Sequence, residues 1–172
     1  MSGLSGDWAK VNTILDPAKL KAKLKQCASR VGNYGASEVK KGIVSGAPGG
    51  QKFAPNSSMT TARKGSSSPL IDKGDLVGSV TYQVLGDNNS VFIGVKNGKE
   101  VNIAAVHEFG CTIPVTPKMR AYLHYQGVHL KPSTQYIHIP ARPFLRPVLG
   151  GDNFKRKVAD IYAEAIRKAF MT

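Results

Sequence analysis

The sequence has little of several features that mark common protein classes. It contains only two cysteines, Cys27 and Cys111, which lie far apart in the chain. A disulfide framework is therefore not expected, and a reducing compartment is the default. No apolar run approaches the roughly 18 residues that a membrane-spanning helix needs. The first ten residues also lack the basic and then apolar pattern of a secretory signal. We therefore expect no membrane partner.

Acidic residues are scarce, and this scarcity gives the chain a strong positive charge. The 11 Asp and Glu stand against 24 Lys and Arg, for a formal net charge of +13. The imbalance is greatest in residues 1–70, and it suggests an acidic partner: nucleic acid, an anionic surface or an acidic protein. For any single lysine, a solvated helix face is the simpler interpretation.

The same scarcity argues against an enzyme. The acids form no obvious pair for acid–base or two-metal chemistry. The sequence also lacks Walker, G-x-S-x-G and G-x-G-x-x-G patterns. We therefore predict no catalytic residues, no metal site and no cofactor.

One stretch, "AAVHEFGC" at residues 104–111, is similar to the H-E-x-x-H motif of zinc proteases. That motif needs two histidines four residues apart on one helix face. Here the fifth position is Cys111, and Gly110 and Pro114 disfavour a helix. Residues 102–107 read as a short apolar strand, so His107 and Glu108 are expected to point to opposite faces. A zinc hydrolase using this pair remains the enzyme alternative.

Two helices are indicated at the ends of the chain. Asp16-Pro17 is a good helix start, and apolar residues at helical spacing predict a helix over residues 17–44. Gly32 and Gly35 within it could bend the helix or let another backbone approach closely. Asp152 is expected to cap a C-terminal helix over residues 152–170.

The sequence between these helices predicts a loop and then strands. Residues 45–68 are rich in Gly, Pro, Ser and basic residues, which predicts a flexible basic loop. Asp72 can cap a short helical turn that Leu76 anchors. Alternating apolar residues predict a hairpin over 79–96, with further strands at 102–107 and 136–140.

These elements define one fold class. Residues 115–135 have no clean period and read as an excursion from the sheet region of 69–149. We predict a single α+β domain over residues 1–172, with an antiparallel sheet of about four strands and the C-terminal helix packed on that sheet.

Four blocks together resemble the tailed-bacteriophage virion morphogenesis family, also described as tail-completion, neck or minor tail-component proteins. They are "PLIDKGDLVGSV" at 69–80, "VFIGV" at 91–95, "AAVHEFG" at 104–110 and "IPARPFLRPVL" at 139–149. Each block alone is weak, but their order and spacing over residues 69–170 are fairly specific. The motif residues with an expected structural role are Leu70, Asp72, Gly74, Leu76, His107, Glu108, Phe109, Gly110, Pro140, Arg142, Pro143 and Phe144.

The resemblance implies a structural role for the motif, and physical roles can be offered for its members. We expect Phe109 to enter the core and Gly110 to permit a turn. We hypothesise that Glu108 pairs with Arg142, because Pro140 and Pro143 hold the chain extended around that arginine. Phe144 would anchor the region where the last helix begins.

The resemblance also implies a place and partners. The protein would assemble in the host cytoplasm and lie in the virion, at the head–tail junction or tail end. It would form a homo-oligomeric ring, six-fold or twelve-fold, beside neighbouring connector and tail proteins. The basic excess would face either DNA in the channel or acidic protein neighbours, and Lys52, Arg63 and Lys64 are candidates for such contacts. A basic DNA-binding module outside any virion is the alternative function.

Overall fold

The structure, a computed structural model, describes residues 16–86 and 90–171, and its longest element is helix α1, Pro17–Ser45. The Asp16 carboxylate caps this helix by accepting hydrogen bonds from the amides of Ala18 (2.8 Å) and Lys19 (3.1 Å). The helix ends at Gly46, whose positive φ of 70° suits glycine. The long N-terminal helix predicted for 17–44 is confirmed.

Gly32 and Gly35 make room for the neighbouring hairpin, and α1 runs unbroken through both. A Cβ on Gly32 would overlap the ring of Tyr82. A Cβ on Gly35 would lie 2.6 Å from Cδ1 of Ile93. Of the two roles predicted for these glycines, close approach is the one observed, although side chains and not another backbone approach them.

The predicted hairpin is present and packs on α1. Strands β1, Val80–Val84, and β2, Val91–Val95, are antiparallel, with Val80 opposite Val95. Residues 87–89 of the predicted turn lie outside the described residues. The main core forms where α1 meets this hairpin, around Val39, Ile43, Val80 and Phe144.

The prediction of a strand at 102–107 is wrong, because residues Glu100–Phe109 form helix α4. A short apolar run cannot be assigned to helix or strand by periodicity alone. The structure buries Ala104 and Glu108, four residues apart, which is the spacing of one helix face.

Because residues 102–107 are helical, the strands pair differently from the prediction. Strand β3, Cys111–Pro114, pairs antiparallel with β4, Tyr136–Ile139, and this pair is separate from the first hairpin. The α+β class is confirmed. The prediction of one sheet of about four strands is wrong, since the described residues form two sheets of two strands each.

The segment 115–135, which showed no period in the sequence, contains helix α5, Pro117–Tyr125. The Thr116 hydroxyl caps it by accepting from the amide of Met119 (3.1 Å). We call residues 111–139, from β3 through α5 to β4, the arm. Its two strands pair with each other at its base.

The C-terminal helix packs on α1 and not on a sheet, so that part of the prediction is wrong. After the short helix α6, Arg146–Leu149, helix α7 covers Asp152–Met171. Ile161 packs against Cys27 and Val31 of α1. Asp152 is the first residue of α7 and not the residue before it.

Residues 45–68 carry more structure than the predicted flexible loop. They include a 3₁₀ turn, Pro48–Gly50, and helix α2, Ser58–Lys64. Ser57 caps α2 by accepting from the amide of Thr60 (3.2 Å), a start signal that the polar composition concealed.

The short helix expected near residue 72 begins later than predicted. Helix α3 covers Asp75–Ser79, and Gly74, with a positive φ of 88°, precedes it. Asp72 therefore does not cap this helix. Leu76, predicted to anchor that turn, lies in α3 and is buried in the main core.

Candidate functional site

Glu108, in the last turn of α4, joins that helix to the start of α6. Its side chain is buried, and both carboxylate oxygens accept hydrogen bonds. Oε2 accepts from the amides of Phe144 (2.8 Å) and Leu145 (3.0 Å). Oε1 accepts from the amide (3.0 Å) and the Nε (3.1 Å) of Arg146. One carboxylate thus satisfies three consecutive backbone amides at and just before the start of α6, where amides lack partners within the helix.

The charge of Glu108 is stabilised by these donors. Burial by itself would raise the pKa of this carboxyl. The amides of Leu145, Phe144 and Arg146 and the Arg146 side chain donate to it and outweigh burial, so its pKa lies below the ordinary value. With four donors already bound, the carboxylate is not free to act as a general base on water.

Arg146, and not Arg142, is the cation that pairs with Glu108, so the predicted pairing is wrong. Arg146 also donates from Nη2 to the backbone oxygen of Glu108 (2.9 Å). Its guanidinium lies 5.0 Å from the centre of the Phe109 ring, within the range of a cation–π contact. Arg146 is part of the same "RPFLRPVL" stretch, but the prolines that flank Arg142 favoured the wrong arginine.

Arg142 binds a different part of the chain. Its Nε donates to the carbonyl of Ala54 and its Nη2 to that of Pro55, both at 2.7 Å. Its backbone amide donates to the carbonyl of His107 (2.6 Å). Arg142 therefore connects two parts of the chain: its buried guanidinium binds the segment before α2, and its backbone amide binds the end of α4. Burial lowers the pKa of Arg142.

Phe109 does not enter the core, contrary to prediction, and 68% of its surface is exposed. In a helix, adjacent residues are turned about 100° from each other. Because Ala104 and Glu108 face the core, Phe109 must face outward. Gly110 follows with a positive φ of 73°, and a Cβ there would lie 3.0 Å from the backbone oxygen of Ile139. Only glycine fits this crossing without strain.

The remaining motif residues of the C-terminal block lie around this junction. Phe144 has no exposed surface. Pro140 and Pro143 flank Arg142 in a stretch without helix or strand. We name the set His107–Gly110 with Pro140–Arg146 the motif junction, because its hydrogen bonds join α4, α6 and the segment before α2.

His107, at the edge of the motif junction, also lines an open groove of about 750 Å³. The groove is lined by α2, residues 70–76 and β4, and it includes the motif residues Leu70, Asp72, Gly74 and Leu76. The Nδ1 of His107 is buried and has no hydrogen-bond partner among the described residues. Burial lowers the pKa of this imidazole, and the nearby charges of Arg142 and Lys64 add to that effect.

The described residues do not assemble a metal centre. Cys111, the fifth position of the zinc-like stretch, lies beyond α4 in β3. His124 and His129 are in contact, with ring centroids 4.5 Å apart. Among residues 16–86 and 90–171, however, no group of three or more His, Cys, Asp or Glu could hold a metal ion. Nor does any described helix have the length and apolar character to cross a membrane.

The candidate basic residues lie outside the motif junction. Lys52 and Arg63 are exposed, while Lys64 is half-buried and donates to the carbonyl of Ser68 (2.7 Å). A second basic surface lies on the first turns of α1, where all four lysines of the stretch are exposed: Lys19, Lys21, Lys23 and Lys25.

The sequence was compared with known families, proteins and structures. It matches the phage virion morphogenesis family over residues 7–168, nearly the whole chain. No curated protein and no solved structure matches it. The chain belongs to the phage virion morphogenesis family, which gives it a structural role in the assembly of a phage particle.

Proposed function

We propose that this member of the phage virion morphogenesis family forms a closed ring that joins or completes the tail. The ring would lie at the head–tail junction or the tail end, as a neck or tail-completion protein, with six or twelve copies. Family membership supports the role in assembly. The observation that carries the ring is that large apolar side chains are exposed on two different parts of the chain, the α1–α7 helix pair and the β1–β2 hairpin.

A ring of identical subunits needs two different, complementary surfaces on each copy. The helix pair α1–α7 leaves Leu20 and Ile166 exposed. The β1–β2 hairpin leaves Leu85 and Phe92 exposed on a different element. Apolar side chains of this size gain free energy when a partner covers them. A contact between the helix surface of one copy and the hairpin surface of the next would bury both.

Ring closure also needs surfaces held at a fixed angle. The motif junction supplies this rigidity, because Glu108 and Arg142 join segments that are far apart in the chain. Both side chains are buried, so these hydrogen bonds are shielded from competing water. The motif would then fix the subunit's shape, while the contacts themselves lie elsewhere on its surface.

We further propose that lysines line the channel through which DNA passes. The first turns of α1 present four exposed lysines, and no acid lies between Asp16 and Glu38. Lysine pairs four residues apart repel each other on a helix, and an anionic partner relieves that repulsion. The alternative function, a DNA-binding module outside any virion, is favoured by the same lysines.

The test of the proposed function is a nonsense mutation in this gene, with the phage grown in a non-suppressing host. Electron microscopy should show filled heads beside separate tails, or tails of the wrong length. Normal, joined and infectious particles would contradict the proposal.

A second measurement separates the alternative. Purified protein is titrated with duplex DNA at several salt concentrations, beside a variant with Lys19, Lys21, Lys23 and Lys25 changed to Gln. Several phosphate contacts would make affinity fall by decades as salt rises, and the variant would lose most of that dependence. Strong DNA binding together with normal particles would favour the DNA-binding module.

A further inference from the structure

We propose that the arm, residues 111–139, docks on an acidic surface of a different protein in the particle. This inference rests on the proposed function, because it assigns one surface of the assembled protein to a partner. The arm leaves the main body at Gly110 and returns at Pro140, next to the motif junction.

The arm keeps its shape largely through its own bonds. Arg120 donates to the carbonyl of Lys131 (3.0 Å) and to that of Thr134 (2.6 Å), which holds the segment after α5 in place. Leu123 is the only buried residue of the arm. A unit with so small a core does not gain its ordered structure from burial alone. Hydrogen bonds within the arm therefore hold its shape, and most of its side chains stay open to a partner.

Large aromatic side chains cover the outside of the arm. Three of the six tyrosines of the chain lie here. Tyr125 is 86% exposed, Tyr136 62% and Tyr122 50%. Tyrosine combines a large apolar ring with a polar tip and is enriched at the centre of protein interfaces. Phe109, exposed at the base of the arm, extends the same character to the main body.

The charge of the arm has one sign. No Asp or Glu occurs between Glu108 and Asp152. Lys118 and Lys131 are exposed on the arm. Because charges of opposite sign steer and select partners, the matching surface is acidic.

Two other occupants fit less well. Duplex DNA would be held by cations, but Arg120 is already bound to backbone carbonyls, which leaves two free lysines on the arm. Two phosphate contacts give a salt dependence of slope about two, which is weak for a DNA site. In the proposed ring, contacts between copies use the α1–α7 helix pair and the β1–β2 hairpin, which leaves the arm of each copy for a different protein. An acidic protein neighbour satisfies both the tyrosines and the lysines.

The experiment uses heads and tails from the nonsense-mutant phage, separated on a gradient, as the probe. Purified wild-type protein and variants are added to each fraction, and attachment is measured by co-sedimentation. The first variant is Tyr122→Ser with Tyr125→Ser. The second is Lys118→Glu with Lys131→Glu, and its matched control is Lys96→Glu with Lys99→Glu, which makes the same charge change in an exposed turn. Urea unfolding and light scattering check that each variant folds and keeps the wild-type oligomeric state.

We expect both arm variants to attach at least tenfold more weakly than the wild type, while the control attaches normally. Normal attachment by both arm variants would overturn the inference. If attachment is normal but light scattering shows a changed oligomeric state, the occupant is a second copy and the inference is overturned. If attachment is normal but the variants lose affinity for duplex DNA, the occupant is DNA and the inference is likewise overturned. If wild-type protein attaches to neither fraction, the proposed function fails, and this inference fails with it.

Discussion

Glu108→Gln is the change that most directly tests the motif junction. The two oxygens of Glu108 accept four hydrogen bonds, two at each oxygen. Glutamine has nearly the same shape, but its single amide oxygen can replace only one of the two carboxylate oxygens. Its NH₂ group would then face two N–H donors that it cannot accept from.

The cost follows from those lost bonds. A hydrogen bond to a charged group contributes about 1.5–3 kcal/mol net, and a buried donor left without a partner costs about 1–3 kcal/mol. Because these terms overlap, we expect Glu108→Gln to lower the free energy of unfolding by about 3–5 kcal/mol. That is a large part of the roughly 5–15 kcal/mol that stabilises a typical domain.

The assay is urea unfolding at pH 7, followed by circular dichroism. With a slope of about 2 kcal/mol per M, the midpoint should fall by roughly 2 M. The control is Glu100→Gln, the same substitution in the first turn of the same helix. Glu100 lies in the first turn of α4, where the helix dipole favours a negative charge, so losing that charge should cost less than about 1 kcal/mol. If Glu108→Gln costs no more than Glu100→Gln, the carboxylate does not hold the junction as argued.

The pH dependence gives an independent check of the same carboxylate. The folded-state pKa of Glu108 lies below its ordinary value of 4.5. Between those two pKa values the unfolded state binds more protons, so the contribution is fully present above pH 4.5 and is lost as pH falls through the folded value. Below pH 4.5, wild-type protein should therefore lose stability more steeply than Glu108→Gln.

Three further predictions concern the junction and the helix interface. Arg142→Met leaves two carbonyls of the segment before α2 without donors, so we expect urea unfolding to show a loss of about 2–4 kcal/mol. The amides of Phe53, Ala54 and Asn56 should exchange faster, and unchanged exchange would count against this role. Gly32→Ala should destabilise the protein by about 1–3 kcal/mol, because the new Cβ would overlap the ring of Tyr82. The control Gly78→Ala, whose Cβ would have nothing within 4 Å, should stabilise it by up to about 1 kcal/mol. Equal effects of the two changes would refute the packing argument. The folded-state pKa of His107 lies below 6.5. Its contribution to the free energy of unfolding is therefore fully present above pH 6.5 and declines below it. A plot of unfolding free energy against pH should be flatter just below pH 6.5 for His107→Asn than for the wild type.

The sequence by itself determined the elements that depend on local chemistry. Asp16-Pro17 placed the start of α1 because a capping carboxylate and a fixed φ act within one turn. The alternation of apolar residues determined the β1–β2 hairpin because the period of two is a property of the strand itself. The ordered blocks also identified the family without any structure.

The tertiary structure decided the features that depend on distant partners. Residues 100–109 became a helix because one face, with Ala104 and Glu108, meets the core, and that phase turned Phe109 outward. The C-terminal motif block contains two arginines that could pair with Glu108, Arg142 and Arg146. The start of α6 brought Arg146 to the carboxylate, while carbonyls almost ninety residues earlier bound Arg142. Local helix propensities differ by less than about 1 kcal/mol per residue, whereas a buried charge without a partner costs several kcal/mol. The fold, and not the local sequence, therefore selected the partners of Glu108 and Arg142.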